Sequence, residues 1–215
     1  MKDLITIGLP SKGRLKEKSI SFFNDRGLKI IQSEKERNYF GTIANKPNVK
    51  IIFLHAKEII QRLGDGTLDI GISGLDLLKE SEKNLQNKIN IQKKLDYGNA
   101  NLVIAVPDDW IDVQTIADLE EISFEIRSKR NTRLRVATKY PNLTNDFLIS
   151  KGVTQYKLIP SLGATETYPF IGSSEIITDI TSTGKTLADN NLRVLKDGLI
   201  PVSYTHLTLP TTVIV

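Results

Sequence analysis

The sequence predicts an α/β protein of parallel sheets covered by helices, divided into two lobes with a cleft between them. Three observations carry this expectation. Short apolar runs alternate with segments of helical period along almost all of the 215 residues, the order produced when helices return the chain between parallel strands. The length admits one large domain or two small ones, and 40% hydrophobic with 25% charged residues is ordinary globular composition. A change of composition around Lys93, Lys94 and Asp96 marks a boundary between lobes.

The elements follow in order. Residues 4–8 read as a buried strand stopped by Pro10 and Gly13, and 16–26 as a helix with Leu15, Phe22 and Phe23 inward and Gly27 at its end. A weak strand at 29–32 precedes a stronger one at 49–54 and a short helix at 56–63, closed by Gly64, Asp65 and Gly66. A strand at 69–72 runs into Gly74, and 75–80 turns helical. Beyond a polar stretch, 102–106 is a fully buried strand closed by Pro107. Residues 115–127 place Ile116, Leu119, Ile122 and Ile126 on one helix face, with Thr115 or Asp112 as cap. A strand at 134–138, a helix at 143–150, strands at 156–159 and 175–180 and a helix at 185–190 complete the alternation. Ligands of open α/β sheets sit beyond the carboxyl ends of strands, which selects the loops after Gly8, Ile72 and Ile180.

Composition removes whole classes of chemistry. The chain has no cysteine, which excludes disulfides, thiolate metal sites and cysteine nucleophiles, and its two histidines, His55 and His206, are too few for most histidine metal centres. The longest aliphatic run, Leu102 to Val106, falls far short of the ~20 residues of a membrane span, and the N-terminus carries no secretory h-region. A cytoplasmic protein with no membrane partner is expected. The balance of 29 basic to 25 acidic residues is mildly positive. The one basic cluster, from Arg127 to Arg135, lacks interleaved aromatics and reads as surface, so small anionic ligands are expected in place of nucleic acid.

The richest segment runs from Ile176 to Leu187. A buried strand ends in Asp179, and the turn Thr181-Ser182-Thr183-Gly184-Lys185-Thr186 opens a helix. Amides of Thr183, Gly184 and Lys185 would face out of that helix start, and four hydroxyls stand ready to donate to one phosphate. A Walker loop is excluded, because it needs glycine where this chain has Asp179. A carboxylate before a phosphate loop suits a phosphorylated sugar, whose hydroxyls donate to it. Simple N-capping by Ser182 or Thr183 is the alternative.

That segment resembles the phosphoribosyl-pyrophosphate loop of ATP phosphoribosyltransferases, and the resemblance extends along residues 4–200 in order. Lys12-Gly13-Arg14 is similar to the family's N-terminal turn, and the stretch from Gly66 to Asp76 to its second glycine-rich strand and turn. Leu95-Asp96-Tyr97-Gly98 is similar to the hinge-side segment, the stretch from Leu134 to Leu143 to a characteristic family run, and Gly163-Ala164-Thr165-Glu166 to its Gly-Ser-Val-Glu. The resemblance implies a type II periplasmic-binding-protein-like fold. It also implies the opening reaction of histidine biosynthesis, joining N1 of ATP to C1 of phosphoribosyl pyrophosphate. Thr181, Ser182, Thr183, Gly184, Lys185 and Thr186 would hold the 5′-phosphate, with Glu166 and Asp179 on the ribose hydroxyls. Arg14 and Arg37 would contact pyrophosphate and ATP with Lys12 beside them, and Mg²⁺ would be held mainly by substrate, with no protein ligand assigned.

Asp69, Gly71, Asp96 and Tyr97 are candidates for the ATP side of the cleft. Asp69 equally suits capping of the turn through Gly74, and Asp96 and Tyr97 equally suit the crossover. His55 reads as a local hydrogen-bonding residue. The expected lobes are 1–95 plus 181–200, and 96–180. Residues 201–215, with threonine and proline among apolar residues, do not read as helix and resemble cloning read-through in place of a native terminus. The short length resembles the family's short form, implying a regulatory subunit similar to histidyl-tRNA synthetase and a homodimer of catalytic subunits. A solute receptor of the same fold and a transferase acting on a free nucleobase are the rival readings.

Overall fold

The computed structural model describes residues 4–32, 39–181 and 183–210. They fall into two compact units: one holds the described residues up to Asn99 and from Ser203 onward, the other Ala100–Val202. Arg37 and Ser182 lie outside the described residues.

The first unit contains β1 (Ile5–Pro10), α1 (Gly13–Asn24), β2 (Ile30–Gln32), β3 (Phe40–Ile43), β4 (Lys46–Leu54), α2 (Ala56–Gly64), β5 (Ile70–Gly74), α3 (Leu75–Glu80) and α4 (Lys83–Gln86). The 19-residue strands β6 (Ile89–Pro107) and β10 (Leu192–Pro210) contribute residues to both units. Strand order here is β2-β3-β4-β1-β5-β10, with β1 parallel to β4 and β5. The amphipathic α2 buries Ile59, Ile60 and Leu63 against Leu68. Each fully buried side chain of this size contributes about 1.5–3 kcal/mol. The close fit depends on Gly71, because a Cβ there would lie 2.6 Å from Ile59 Cγ2 and 2.7 Å from Leu63 Cδ1.

The second unit adds α5 (Ile116–Arg130), β7 (Leu134–Thr138), α6 (Pro141–Ser150), β8 (Tyr156–Pro160), a 3-10 turn (Thr165–Thr167), β9 (Ile176–Thr181) and α7 (Lys185–Asp189). Its strands run in the order β6-β9-β7-β8. β7 is parallel to β8 and β9, and β6 is antiparallel to β9. Leu102, Val103, Ile104, Ala105 and Val106 are all buried, as an uninterrupted apolar run requires of a strand covered on both faces. Thr115 caps α5 in a reciprocal box with Asp118, and the Ile116 amide donates to Asp197 on β10 at 2.8 Å.

One expectation changes, and the tail gains a place. Residues 181–200 belong to the second unit and not to the first. Leu187, Leu192 and Val194 pack with Val103, Ala105, Ala137 and Ile177, so the chain returns to the first unit only after Val202. The stretch up to Pro210 extends β10, and Thr205 through Thr208 pair antiparallel with Gly74 through Gly71. The Thr208 hydroxyl donates to the Gly71 carbonyl at 3.0 Å.

Candidate active site

Parallel strands put all their carboxyl ends on one edge of a sheet, and a crevice opens where successive crossovers leave in opposite directions. In the second unit that point lies between β7 and β9. β7 leads through α6 to β8 on one side, whereas β9 lies on the other side and leads into α7. Asp179, Thr181 and the turn into α7 therefore occupy the position a ligand of this sheet would take.

The turn is built locally. Gly184 has φ 73°, the left-handed conformation that glycine takes without a Cβ clash, and Leu187 anchors α7 in the core. The Thr181 hydroxyl accepts from the Gly184 amide at 2.7 Å, and that of Thr183 from the Lys185 amide at 3.4 Å. These two amides are thus capped by threonine and not open, as the sequence suggested. Each accepting hydroxyl keeps its own O–H to donate. Lys185 and Thr186 are exposed.

Glu166 reaches the same edge by a different route. The Ser161 amide donates to the Thr138 carbonyl at the end of β7, and the Ser161 and Thr165 hydroxyls bond at 2.8 Å in the interior. Ala164 then takes a left-handed conformation, and the 3-10 turn carrying Glu166 packs against β9. Asp179 Oδ1 accepts from the Ile180 amide at 2.8 Å, and Oδ2 lies 3.5 Å from Lys139 Nζ. Beneath them Thr138, Thr144 and Thr178 form a buried hydroxyl chain, with spacings of 3.1 and 2.8 Å.

In the first unit the crossovers diverge between β1, which leads through α1 to β2 on one side, and β5, which leads through α3 and α4 to β6 on the other. The Ser11 amide donates to the Leu54 carbonyl at 2.8 Å, tying the loop after β1 to the end of β4. Lys12 and Arg14 stand exposed there at the start of α1. His55 caps α2 by accepting from the Lys57 amide at 3.3 Å, the local role expected of it. Asp76, buried in the first turn of α3, shares this edge and lies in the Gly66 to Asp76 stretch that carries the family resemblance.

Three candidates have partners within the fold. Asp69 precedes β5, so it lies at the amino end of the sheet, where its carboxylate accepts from the Thr6 amide at 2.8 Å. Gly71 is a packing glycine under α2. Tyr97 packs on the first unit's core with its hydroxyl 3.2 Å from Ser19 Oγ, and burial raises its phenol above the ordinary value. Asp96 falls on β6, its side chain outside those described. Lys139 is not among the expected site residues, although a signal existed: Val136-Ala137-Thr138-Lys139 and Ile176-Ile177-Thr178-Asp179 are two apolar strand stretches, each followed by threonine and then by opposite charges.

A sequence profile of the ATP phosphoribosyltransferase family matches residues 55–210. An ATP phosphoribosyltransferase from Nitrobacter winogradskyi is 45% identical over 207 residues, covering 96% of this chain and 64% of that protein. The chain thus spans just under two thirds of that relative's length. Among solved structures, the ATP phosphoribosyl transferase (HisG:HisZ) complex from Thermotoga maritima aligns with TM-score 0.72 and 26% identity, over 96% of this chain and 87% of that one. The arginine-, lysine-, histidine-binding protein ArtJ from Geobacillus stearothermophilus aligns with TM-score 0.55 and 11% identity, over 97% and 83%. The latter likeness concerns the fold alone, the two-unit type II architecture of periplasmic binding proteins. With the profile spanning most of its length and the loop after β9 in place, the chain belongs to the ATP phosphoribosyltransferase family.

Proposed function

We propose that the protein joins N1 of ATP to C1 of 5-phosphoribosyl 1-pyrophosphate, giving N1-(5-phosphoribosyl)-ATP and pyrophosphate, the first step of histidine biosynthesis. The observation that carries this reading is the placement of Asp179 and the Thr181–Gly184 turn together at the divergence of β7 and β9. Thr181, Ser182, Thr183, Gly184, Lys185 and Thr186 hold the 5′-phosphate, while Glu166 and Asp179 accept from the ribose hydroxyls. Lys12, Arg14 and Arg37 supply positive charge to pyrophosphate and ATP.

The adenine nitrogen is itself the nucleophile, so no protein nucleophile is required. The new N1–C1 bond forms as the C1–O bond breaks, and its electron pair leaves on pyrophosphate. The chain's task is to align the two reactants and to stabilise charge moving onto the leaving group. Among the described residues no group of three His, Asp or Glu side chains is arranged to hold a metal. The carboxylates at the site, Glu166 and Asp179, are hard oxygen donors compatible with an Mg²⁺ carried chiefly by substrate phosphates. Such an ion would neutralise charge on the departing pyrophosphate.

The purified chain, incubated with ATP, phosphoribosyl pyrophosphate and Mg²⁺, is expected to release pyrophosphate and phosphoribosyl-ATP in equal amounts. Arg14→Ala and Asp179→Ala are each expected to lower kcat/KM by roughly a hundredfold or more. Transfer to a free purine or pyrimidine with ATP inert overturns the acceptor assignment. The partner reading is a cytoplasmic hetero-oligomer in which a dimer of this chain associates with a regulatory subunit resembling histidyl-tRNA synthetase. The complex from Thermotoga maritima supports that reading. It requires the isolated chain to be indifferent to histidine, and inhibition of the chain alone by histidine refutes it.

A further inference from the structure

We infer that Lys139 is the positioning residue of Asp179, making a carboxylate usable inside a site built for polyanionic substrate. The inference rests on the function proposed above. Thr138 and Thr178 are register partners on the parallel strands β7 and β9. Their hydroxyls meet on Thr144 of α6, at 3.1 and 2.8 Å, and all three threonines are buried. The hydroxyl chain locks the relative height of the two strand ends. Lys139 and Asp179 are the next residues of the two strands, so the same register brings them side by side, with Nζ 3.5 Å from Oδ2. Alternation along a strand turns Asp179 away from the face that Thr178 presents to α6.

The pair is lopsided. The Asp179 side chain is 18% exposed and that of Lys139 34%, so the anion is the more enclosed member. A largely enclosed carboxylate beside a phosphate loop repels the 5′-phosphate and pyrophosphate of the ligand it must bind. A fixed cation on one oxygen offsets that repulsion and holds the carboxylate in one rotamer. As a stabilising device a single contact at this exposure contributes little. Its value lies in the site, where the orientation of Asp179 decides whether ribose hydroxyls find an acceptor.

Titration calorimetry of the purified chain with Mg²⁺ and phosphoribosyl pyrophosphate tests this. Lys139→Met and Lys139→Gln should each weaken binding by roughly tenfold, and Lys139→Arg should restore it to within about threefold. In an Asp179→Asn background Lys139→Met should add less than about twofold, because the charge it serves is gone. ATP affinity should be unaffected, and circular dichroism should be that of the wild type. Unchanged binding in the Met and Gln variants overturns the inference, as does equal weakening with and without the Asp179 charge. A wild-type chain that binds no phosphoribosyl pyrophosphate overturns the parent reading instead.

Discussion

The same two strands, β7 and β9, carry an ion pair at each end, and the two pairs are built differently. At the amino end, Arg135 grips Glu175 with Nη2 at 2.6 Å and Nε at 3.1 and 3.2 Å from the carboxylate oxygens. The Arg135 amide donates to the same carboxylate at 2.7 Å, and Nη1 donates to the Gly172 carbonyl at 2.9 Å. Glu175 accordingly holds the guanidinium above its ordinary pKa, chiefly through these hydrogen bonds. Four residues further along each strand, hence on the same face, Lys139 and Asp179 make one contact at 3.5 Å. The fork spends its bonding capacity within the protein and staples two strands together. The open pair leaves acceptor and donor capacity for a ligand. A saturated pair at one pole and an unsaturated pair at the other distinguishes the amino end of this sheet from the end proposed to meet substrate.

Substitutions at Asp179, Glu175 and Thr144 probe that contrast, and one at Asp118 probes a carboxylate held elsewhere in the same unit. Asp179→Asn keeps the shape and removes the charge. It should lower kcat/KM for phosphoribosyl pyrophosphate by roughly a hundredfold or more while the thermal midpoint stays within about 2 °C. Parallel kinetics and calorimetry check this, and a large fall in midpoint would erase the distinction between the ends. Glu175→Ala should do the reverse. It strips the Arg135 amide and guanidinium of their acceptor and should lower the midpoint by about 4–8 °C, with KM values within about twofold of wild type.

Thr144→Val cuts the hydroxyl chain that aligns the strand ends. It should cost about 1–2 kcal/mol in denaturant unfolding and raise the KM for phosphoribosyl pyrophosphate several-fold, with Thr144→Ser close to wild type. The smallest effect concerns Asp118, a carboxylate held by hydroxyl and amide bonds. The Thr115 hydroxyl and the Gln114 and Thr115 amides hold it below the ordinary range. Because its folded pKa is the lower one, its contribution is present above the unfolded value of about 3.9 and is lost as pH falls through the folded value. Thermal midpoints measured from pH 5 downward should therefore fall more shallowly in Asp118→Asn than in the wild type.

The local parts of the site were readable from residue order. Threonine-rich turn, left-handed glycine and anchoring leucine all lie within the Thr181 to Leu187 stretch, and Thr115 sits where its cap signal placed it. The apolar runs of β6 and β9 gave the alternation of the second unit for the same reason: period and capping are properties of neighbours in sequence. Other assignments depended on partners far along the chain. The Asp69 carboxylate accepts from Thr6, the Tyr97 hydroxyl lies beside Ser19, and Gly71 lies under α2.

The sequence by itself determined the α/β alternation, the hydroxyl-rich turn after β9 and membership of a family whose motifs are contiguous. Only the tertiary structure decided that residues 181–200 stay with the second unit, that the stretch up to Pro210 pairs with β5, and that Lys139 stands beside Asp179. The physical reason is strand register. A one-residue shift between β7 and β9 would separate the ammonium from the carboxylate, and that register is set by buried packing between segments about forty residues apart, which no local pattern encodes.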